Sequence, residues 1–217
     1  LGRAPDWRAA PPAPEAALAE ALAPSRPDWA DTGVEPQAAS PLAGDGGKPA
    51  ARFRRGALLH ALLQHLPELP PASRRAAAIA FLARPGNDLG DQAAALAEEC
   101  LAILDHPALA PLFGPASRAE VPISGLAGGR VVGGLIDRLA VLPDAVLIAD
   151  FKTNRAPPVH AAAIPVLYLR QMAAYRAVLR QVFPGRAVRC ALIWTRGARV
   201  DVLDEAALDR HDPSNGH

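Results

Sequence analysis

The sequence predicts an α/β domain: a mixed sheet, a helical first half and a Pro-rich N-terminal arm. Three observations carry this reading. Between residues 53 and 113, apolar residues recur at helical spacing. From Arg118 the pattern changes to short apolar runs separated by Gly and Pro turns. A long segment over 164–182 then separates the third run from the fourth, and a helix joining neighbouring strands imposes a parallel crossover on a sheet otherwise built of hairpins.

The chain has 217 residues, enough for one sizeable domain or one domain with an extension, and half of them are hydrophobic, enough for a core. The net charge of +1 provides no global basic field, although a domain embedded in a larger assembly can borrow positive surface from its neighbours. Cys100 and Cys190 lie too far apart for a metal cluster or a disulfide framework, so the chain reads as cytoplasmic. No signal peptide or membrane-spanning apolar run is visible. The first residue is Leu1 rather than Met, which reads as a domain of a longer protein, and the Ala, Arg, Gly and Pro bias matches a GC-rich bacterial genome.

Residues 1–50 read as a Pro/Ala-rich linker or docking arm, because nine prolines break any long element, and only 15–23 has room for two helical turns. Trp7 and Trp29 argue that parts of this arm dock on a surface. The domain proper spans 51–205. Helices are expected over 54–66, where Leu58, Leu59, Leu62, Leu63 and Leu66 form the apolar side, over 73–83, and over 91–104. Gly56 and His60 are four residues apart and share a face of the first. A short strand begins near Arg118 with Glu120, Val121 and Ile123; Gly128-Gly129 makes a hairpin turn; a second strand spans 131–141. Pro143-Asp144 turns into a third strand over 145–152. After the helix over 164–182, Phe183-Pro184-Gly185 leads to strands over 187–195 and 199–203. The tail, 206–217, is polar and expected to fray.

The third strand ends in Asp150-Phe151-Lys152, and strand alternation points Asp150 and Lys152 the same way. The chain has twenty-three Lys plus Arg, yet only Lys48 and Lys152 are lysines. Lys is a compact point charge and Arg a planar fork, so retention of Lys beside a buried acid points to chemistry. Asp137 on the preceding antiparallel strand can approach Asp150, and His60 and Glu120 lie on the first helix and first strand. Two carboxylates, an imidazole, a backbone carbonyl and waters suit Mg2+ or Mn2+ better than structural zinc. Gln171 and Tyr175, one helical turn apart, offer an amide and a phenol to the same pocket. Taken singly, each of these has a plain reading as helix surface, core edge or solvated charge; the joint pattern carries the inference.

In order along the chain, Gly56-x-x-x-His60, Gly134-x-x-Asp137, Asp150-x-Lys152 and Gln171-x-x-x-Tyr175 resemble the RecB-type branch of the PD-(D/E)XK nuclease superfamily. The texture over about residues 52–204 is similar to the C-terminal nuclease domains of AddA-type helicase–nuclease subunits, of alphaproteobacterial type. The resemblance implies a restriction-endonuclease-like core and a metal-dependent DNA exonuclease that processes double-strand ends for recombinational repair. It implies that His60, Asp137, Asp150 and the Phe151 carbonyl hold Mg2+ or Mn2+, that Lys152 positions the attacking water or stabilises the transition state, and that Gln171, Tyr175, Glu120 and Gly56 support the site or contact DNA. The implied partners are the single strand from an unwound duplex end, helicase domains of the same full-length chain and an AddB subunit, with no membrane. Some relatives bind an iron–sulfur cluster through four cysteines; this chain has two, so no cluster is expected, and the absence of a Walker motif excludes a nucleotide site here. The alternative is a catalytically inactive nuclease fold serving as a DNA-binding or subunit-docking module, against which the full set of His60, Asp137, Asp150 and Lys152 argues.

Overall fold

Proline and glycine set the element boundaries. Pro71 occupies the first turn of a helix, where its missing N–H is no loss. Gly128 and Gly129 have φ of 58° and 73°, the left-handed pair that a two-residue hairpin turn requires. The computed structural model describes residues 21–22, 48–87, 89–153 and 157–215. Within them run β1 (Ala21–Leu22), α1 (Lys48–His65), α2 (Pro71–Leu82), α3 (Gln92–Leu104), β2 (Ser117–Ala127), β3 (Arg130–Val141), β4 (Ala145–Lys152), α4 (Val166–Val182), β5 (Ala187–Trp194), β6 (Arg199–Val202) and α5 (Glu205–Asp209). Short 3₁₀ turns follow α1 at Leu66–Glu68 and α3 at Pro107–Phe113.

Among the described residues the strands form one mixed six-stranded sheet. β2 and β3 pair antiparallel from Ser117↔Ala140 to Ala127↔Arg130. β4 pairs antiparallel with β3 only from Val141↔Val146 to Arg138↔Ala149, then parts from it. β4 and β5 are parallel throughout, from Ala145↔Ala187 to Lys152↔Trp194, because α4 carries the chain back across the sheet. β6 closes the far edge antiparallel to β5.

Each face of the sheet buries its own core. On one face Ile136, Leu139, Val146, Ile148 and Leu192 pack against Met172, Tyr175, Val178 and Leu179 of α4. On the other, Ala140, Ala149, Phe151 and Ile193 pack against Leu59, Leu62 and Leu63 of α1 and Leu96, Cys100 and Ile103 of α3. β4 and β5 are covered on both faces, which is why their sequences are nearly continuous apolar runs.

The observed architecture is the α/β restriction-endonuclease-like fold that the sequence predicts, with three differences. The arm read as linker lies outside the described residues except for 48–50, which already belong to α1, and Ala21–Leu22. Those two residues, read as part of a helical stretch, pair parallel with Val131 and Val132 instead. The tail expected to fray from Ala206 forms α5: Asp204 caps it by accepting from the Ala207 amide at 2.9 Å, and Leu208 is buried against the α4 face.

Candidate active site

The site is built where β3 loses both of its neighbours at one level. Ala119↔Arg138 and Val121↔Ile136 are paired, whereas Glu120 and Asp137 between them are not. Glu120 has φ of 50°, a left-handed conformation costing a non-glycine residue roughly 1–2 kcal/mol. The break also disturbs strand alternation. Ile136 and Leu139 both face α4, while Ala140 faces α1, so the inward–outward order resets at Asp137-Arg138. On the other side, Arg138↔Ala149 is the last β3–β4 pair, which leaves Asp137 and Asp150 opposite one another. Glu120, Asp137 and Asp150 therefore stand in one row across three adjacent strands.

α1 brings His60 to this row. Its Nδ1 lies 3.8 Å from Glu120 Oε1 and 3.6 Å from Asp137 Oδ1. Its ring stands edge-on to Phe151, centroids 5.6 Å apart. The approach of α1 depends on Gly56, one turn earlier: a Cβ there would lie 2.9 Å from Thr153 Oγ1, at the end of β4. One ligand atom each from His60, Glu120 and Asp137 can be chosen so that all lie within 4.8 Å of one another.

β4 supplies the acid and the cation. Lys152 Nζ lies 2.6 Å from Asp150 Oδ2. Gln171 of α4 closes the pair into a ring, donating to Asp150 Oδ1 at 2.8 Å and accepting from Lys152 Nζ at 3.1 Å. Asp150, Lys152 and Gln171 are all buried, so each depends on the others for its polar partners. Tyr168, one turn before Gln171, places its ring centroid 3.8 Å from Lys152 Nζ. Tyr175 goes elsewhere. Its hydroxyl donates to the Leu135 carbonyl at 3.3 Å, and it packs so close to Gly134 that any Cβ there would overlap it. Gln171 thus serves the ion pair and Tyr175 braces the backbone of β3 leading to Asp137.

The electrostatics are those of a site short of positive charge. Burial, and next the charge of Asp150, hold the Asp137 carboxyl well above the ordinary carboxylate range, against the opposing Phe151 amide. Burial holds His60 below the ordinary imidazole range despite Glu120 and Asp150. A neutral imidazole keeps a lone pair for a metal. One imidazole and clustered carboxylate oxygens fit a hard divalent cation such as Mg2+ or Mn2+, and the raised Asp137 is the penalty such a cation would remove.

The structure therefore gathers His60, Glu120 and Asp137, with Asp150 opposite Asp137 and bound to Lys152 and Gln171. The Phe151 backbone meets Asp137 through its amide, which donates to Oδ2 at 2.7 Å. Glu120, read from the sequence as a supporting residue, lies at one end of the row and groups with His60 and Asp137. Tyr168 escaped the sequence reading, although its position three residues before Gln171 puts both on one helical face. A groove of about 660 Å³, lined by residues including Arg55, Glu98, Glu99, Thr195 and Arg196, contains none of the row.

The family model described as "PD-(D/E)XK nuclease superfamily" matches residues 39–212. No curated protein matches the chain significantly. Among solved structures, one titled "Crystal structure of SSO0001" is similar at 15% identity, covering 76% of this chain and 84% of that one with a TM-score of 0.31.

Proposed function

From the premise that this chain belongs to the PD-(D/E)XK nuclease superfamily, we propose that it is a RecB-like, divalent-cation-dependent deoxyribonuclease domain. In this reading it serves as the exonuclease of an AddA-type helicase–nuclease. It hydrolyses phosphodiester bonds of the strand released when attached helicase domains, with an AddB-type partner, unwind a double-strand end for recombinational repair. The observation that carries the reading is the row Glu120–Asp137–Asp150 with the Lys152 ammonium 2.6 Å from its last member.

His60, Glu120, Asp137 and Asp150 would hold Mg2+ or Mn2+, which supplies Lewis acidity at a phosphoryl oxygen and an acidified water. The protein's own contributions follow from the geometry. His60 stays neutral and offers a nitrogen. The Phe151 amide fixes Asp137 against β4. Gln171 holds Asp150 and Lys152 in one orientation. The Lys152 ammonium, buried and therefore strong in its field, offsets negative charge developing at phosphorus and orients the attacking water.

The test is cleavage of end-labelled single-stranded DNA with Mg2+ or Mn2+, with and without EDTA. Asp150→Ala and Lys152→Ala should each lower the rate by about 10²-fold or more. Cleavage left unchanged in both variants would sink the assignment. DNA bound but never cut, in the full-length chain as well, would favour the non-catalytic docking module.

A further inference from the structure

We propose that Tyr168 is a positioning residue for Lys152: its ring face holds the ammonium in place by a cation–π contact that does not depend on the charge state of Asp150. The proposal rests on the reading of Asp150 and Lys152 as a nuclease centre, and concerns what keeps the lysine aimed while the acid beside it is engaged.

The surroundings of Nζ carry the argument. The ammonium has three N–H groups. Asp150 Oδ2 at 2.6 Å and Gln171 Oε1 at 3.1 Å take two directions. The Tyr168 ring, 3.8 Å from Nζ to its centroid, covers a third. That is well inside the roughly 6 Å at which an aromatic face attracts a cation. The Lys152 side chain is only 10% exposed, so this attraction acts with little competition from water. The ring is itself braced. Trp194 is the cross-strand partner of Lys152, its ring lies 6.0 Å from that of Tyr168, and its indole N–H donates to Asp201 at 2.7 Å. Tyr168 and Gln171 also come from one face of α4, so a single helix sets both restraints.

Two of the three restraints pass through Asp150. A carboxylate that shares its charge with a divalent cation attracts the lysine less, and Gln171 is itself anchored to Asp150 Oδ1. The quadrupole of a phenol ring is unaffected by that change. Tyr168 therefore matters most in the loaded, reacting enzyme, where a long unbranched side chain would otherwise gain freedom.

The chain contains two lysines, Lys48 and Lys152, which makes a direct measurement possible. In Lys48→Arg protein labelled with ¹³C at the lysine ε-carbon, a single ε-methylene resonance remains. It should lie upfield of the random-coil position, stay there in Tyr168→Phe, and return toward random coil in Tyr168→Leu. In DNA cleavage with Mn2+, Tyr168→Phe should stay within about twofold of wild type. Tyr168→Leu should lower kcat roughly tenfold with KM unchanged. Progressive fluorination of a phenylalanine at position 168 weakens the ring quadrupole at nearly constant size and should lower kcat stepwise. A purely structural Tyr168 would leave kcat flat across that series. Cleavage with a flat series, or with the Lys152 resonance at random coil, overturns this proposal and leaves the nuclease reading standing. A full-length chain, helicase domains included, that binds DNA and never cuts it overturns both.

Discussion

The Phe151 amide donates to the Asp137 carboxylate at 2.7 Å, at the level where β3 and β4 stop pairing backbone to backbone. A side chain thus completes the ladder at its last rung. The arrangement places a buried acid beside a second acid, and its pKa records the result. Burial and the Asp150 charge raise Asp137 well above the ordinary carboxylate range. Burial and the neighbouring carboxylate disfavour the charged form of Asp137, a penalty that a cation bound there would remove.

A stability test follows from that sign. A carboxyl whose pKa is raised on folding favours the fold fully below its unfolded value, about 3.9, and loses that contribution as pH rises through the higher folded value. In the metal-free chain that loss runs from about pH 4 toward neutrality. It is opposed by His60, whose lowered pKa adds stability as pH rises toward the ordinary imidazole value, so the Asp137 contribution is read against a variant that lacks its charge. Asp137→Asn keeps an oxygen for the Phe151 amide and removes the charge. Its Tm should match wild type near pH 4 and exceed it at pH 7, by roughly 2–4 °C for each kcal/mol of relieved penalty, while cleavage is lost. Thermal melts across that range, in EDTA, check it; parallel Tm curves for the two proteins would refute the electrostatic account.

Divalent cation should reverse the same penalty. Mn2+ or Mg2+ at about 100 times its dissociation constant should stabilise wild type by about 2.7 kcal/mol at neutral pH. His60→Ala and Asp137→Asn should each remove most of that gain. Glu120 separates structure from binding: its left-handed backbone favours glycine, so Glu120→Gly should raise the metal-free Tm through relief of roughly 1 kcal/mol and still lose cation-dependent stabilisation. Calorimetry with and without cation distinguishes the two effects. A Glu120→Gly protein stabilised by cation as strongly as wild type would remove Glu120 from the ligand set.

Much of this was legible in the residues because the relevant signals are local. Gly128-Gly129, Pro143-Asp144 and Phe183-Pro184-Gly185 mark turns by backbone chemistry alone, so β4 and the ends of α4 fell close to their observed places. Asp150 and Lys152 share a face because strands alternate. What the sequence did not show depends on register. Glu120 faces Asp137 only because the β2–β3 pairing leaves both unpaired at one level, and nothing local marks its positive φ. The approach of the Tyr168 ring to Lys152 depends on how α4 packs over the end of β4. Ala206 onward looked polar because the partner that orders it, Arg176, lies thirty residues earlier inside a helix.

That partnership makes its own prediction. Arg176 is 1% exposed and reaches Asp209 at 2.5 Å and Glu205 at 3.2 Å on α5. Removing 205–217 would leave a buried guanidinium without these acids and uncover the apolar surface that Leu208 seals. The truncated chain should melt several degrees lower than wild type, and Arg176→Met should recover part of the loss in the truncated chain while lowering Tm in the full one. That change of sign, read by thermal melts of the four proteins, identifies the charge as the cause; the same shift from Arg176→Met in both backgrounds would exclude it.

Gly56 and Thr153 are coupled across the contact that seats His60. In a helix interior, Gly→Ala ordinarily stabilises by roughly 0.5–1 kcal/mol. Here the new Cβ would meet Thr153 Oγ1 at 2.9 Å, so α1 or the residue next to Lys152 must shift. Thr153→Ala removes that oxygen and leaves room. Gly56→Ala alone should therefore show little or none of the helical gain and should depress cleavage by displacing His60 from Glu120 and Asp137. In the Thr153→Ala background, the same substitution should stabilise by roughly 0.5–1 kcal/mol and restore activity to that of Thr153→Ala. A double-mutant cycle in stability and in kcat measures the interaction, expected at about 0.5–3 kcal/mol for groups in contact. Additive effects in both readouts would mean that α1 is not seated through this contact, and that Gly56 serves only the packing of its own helix.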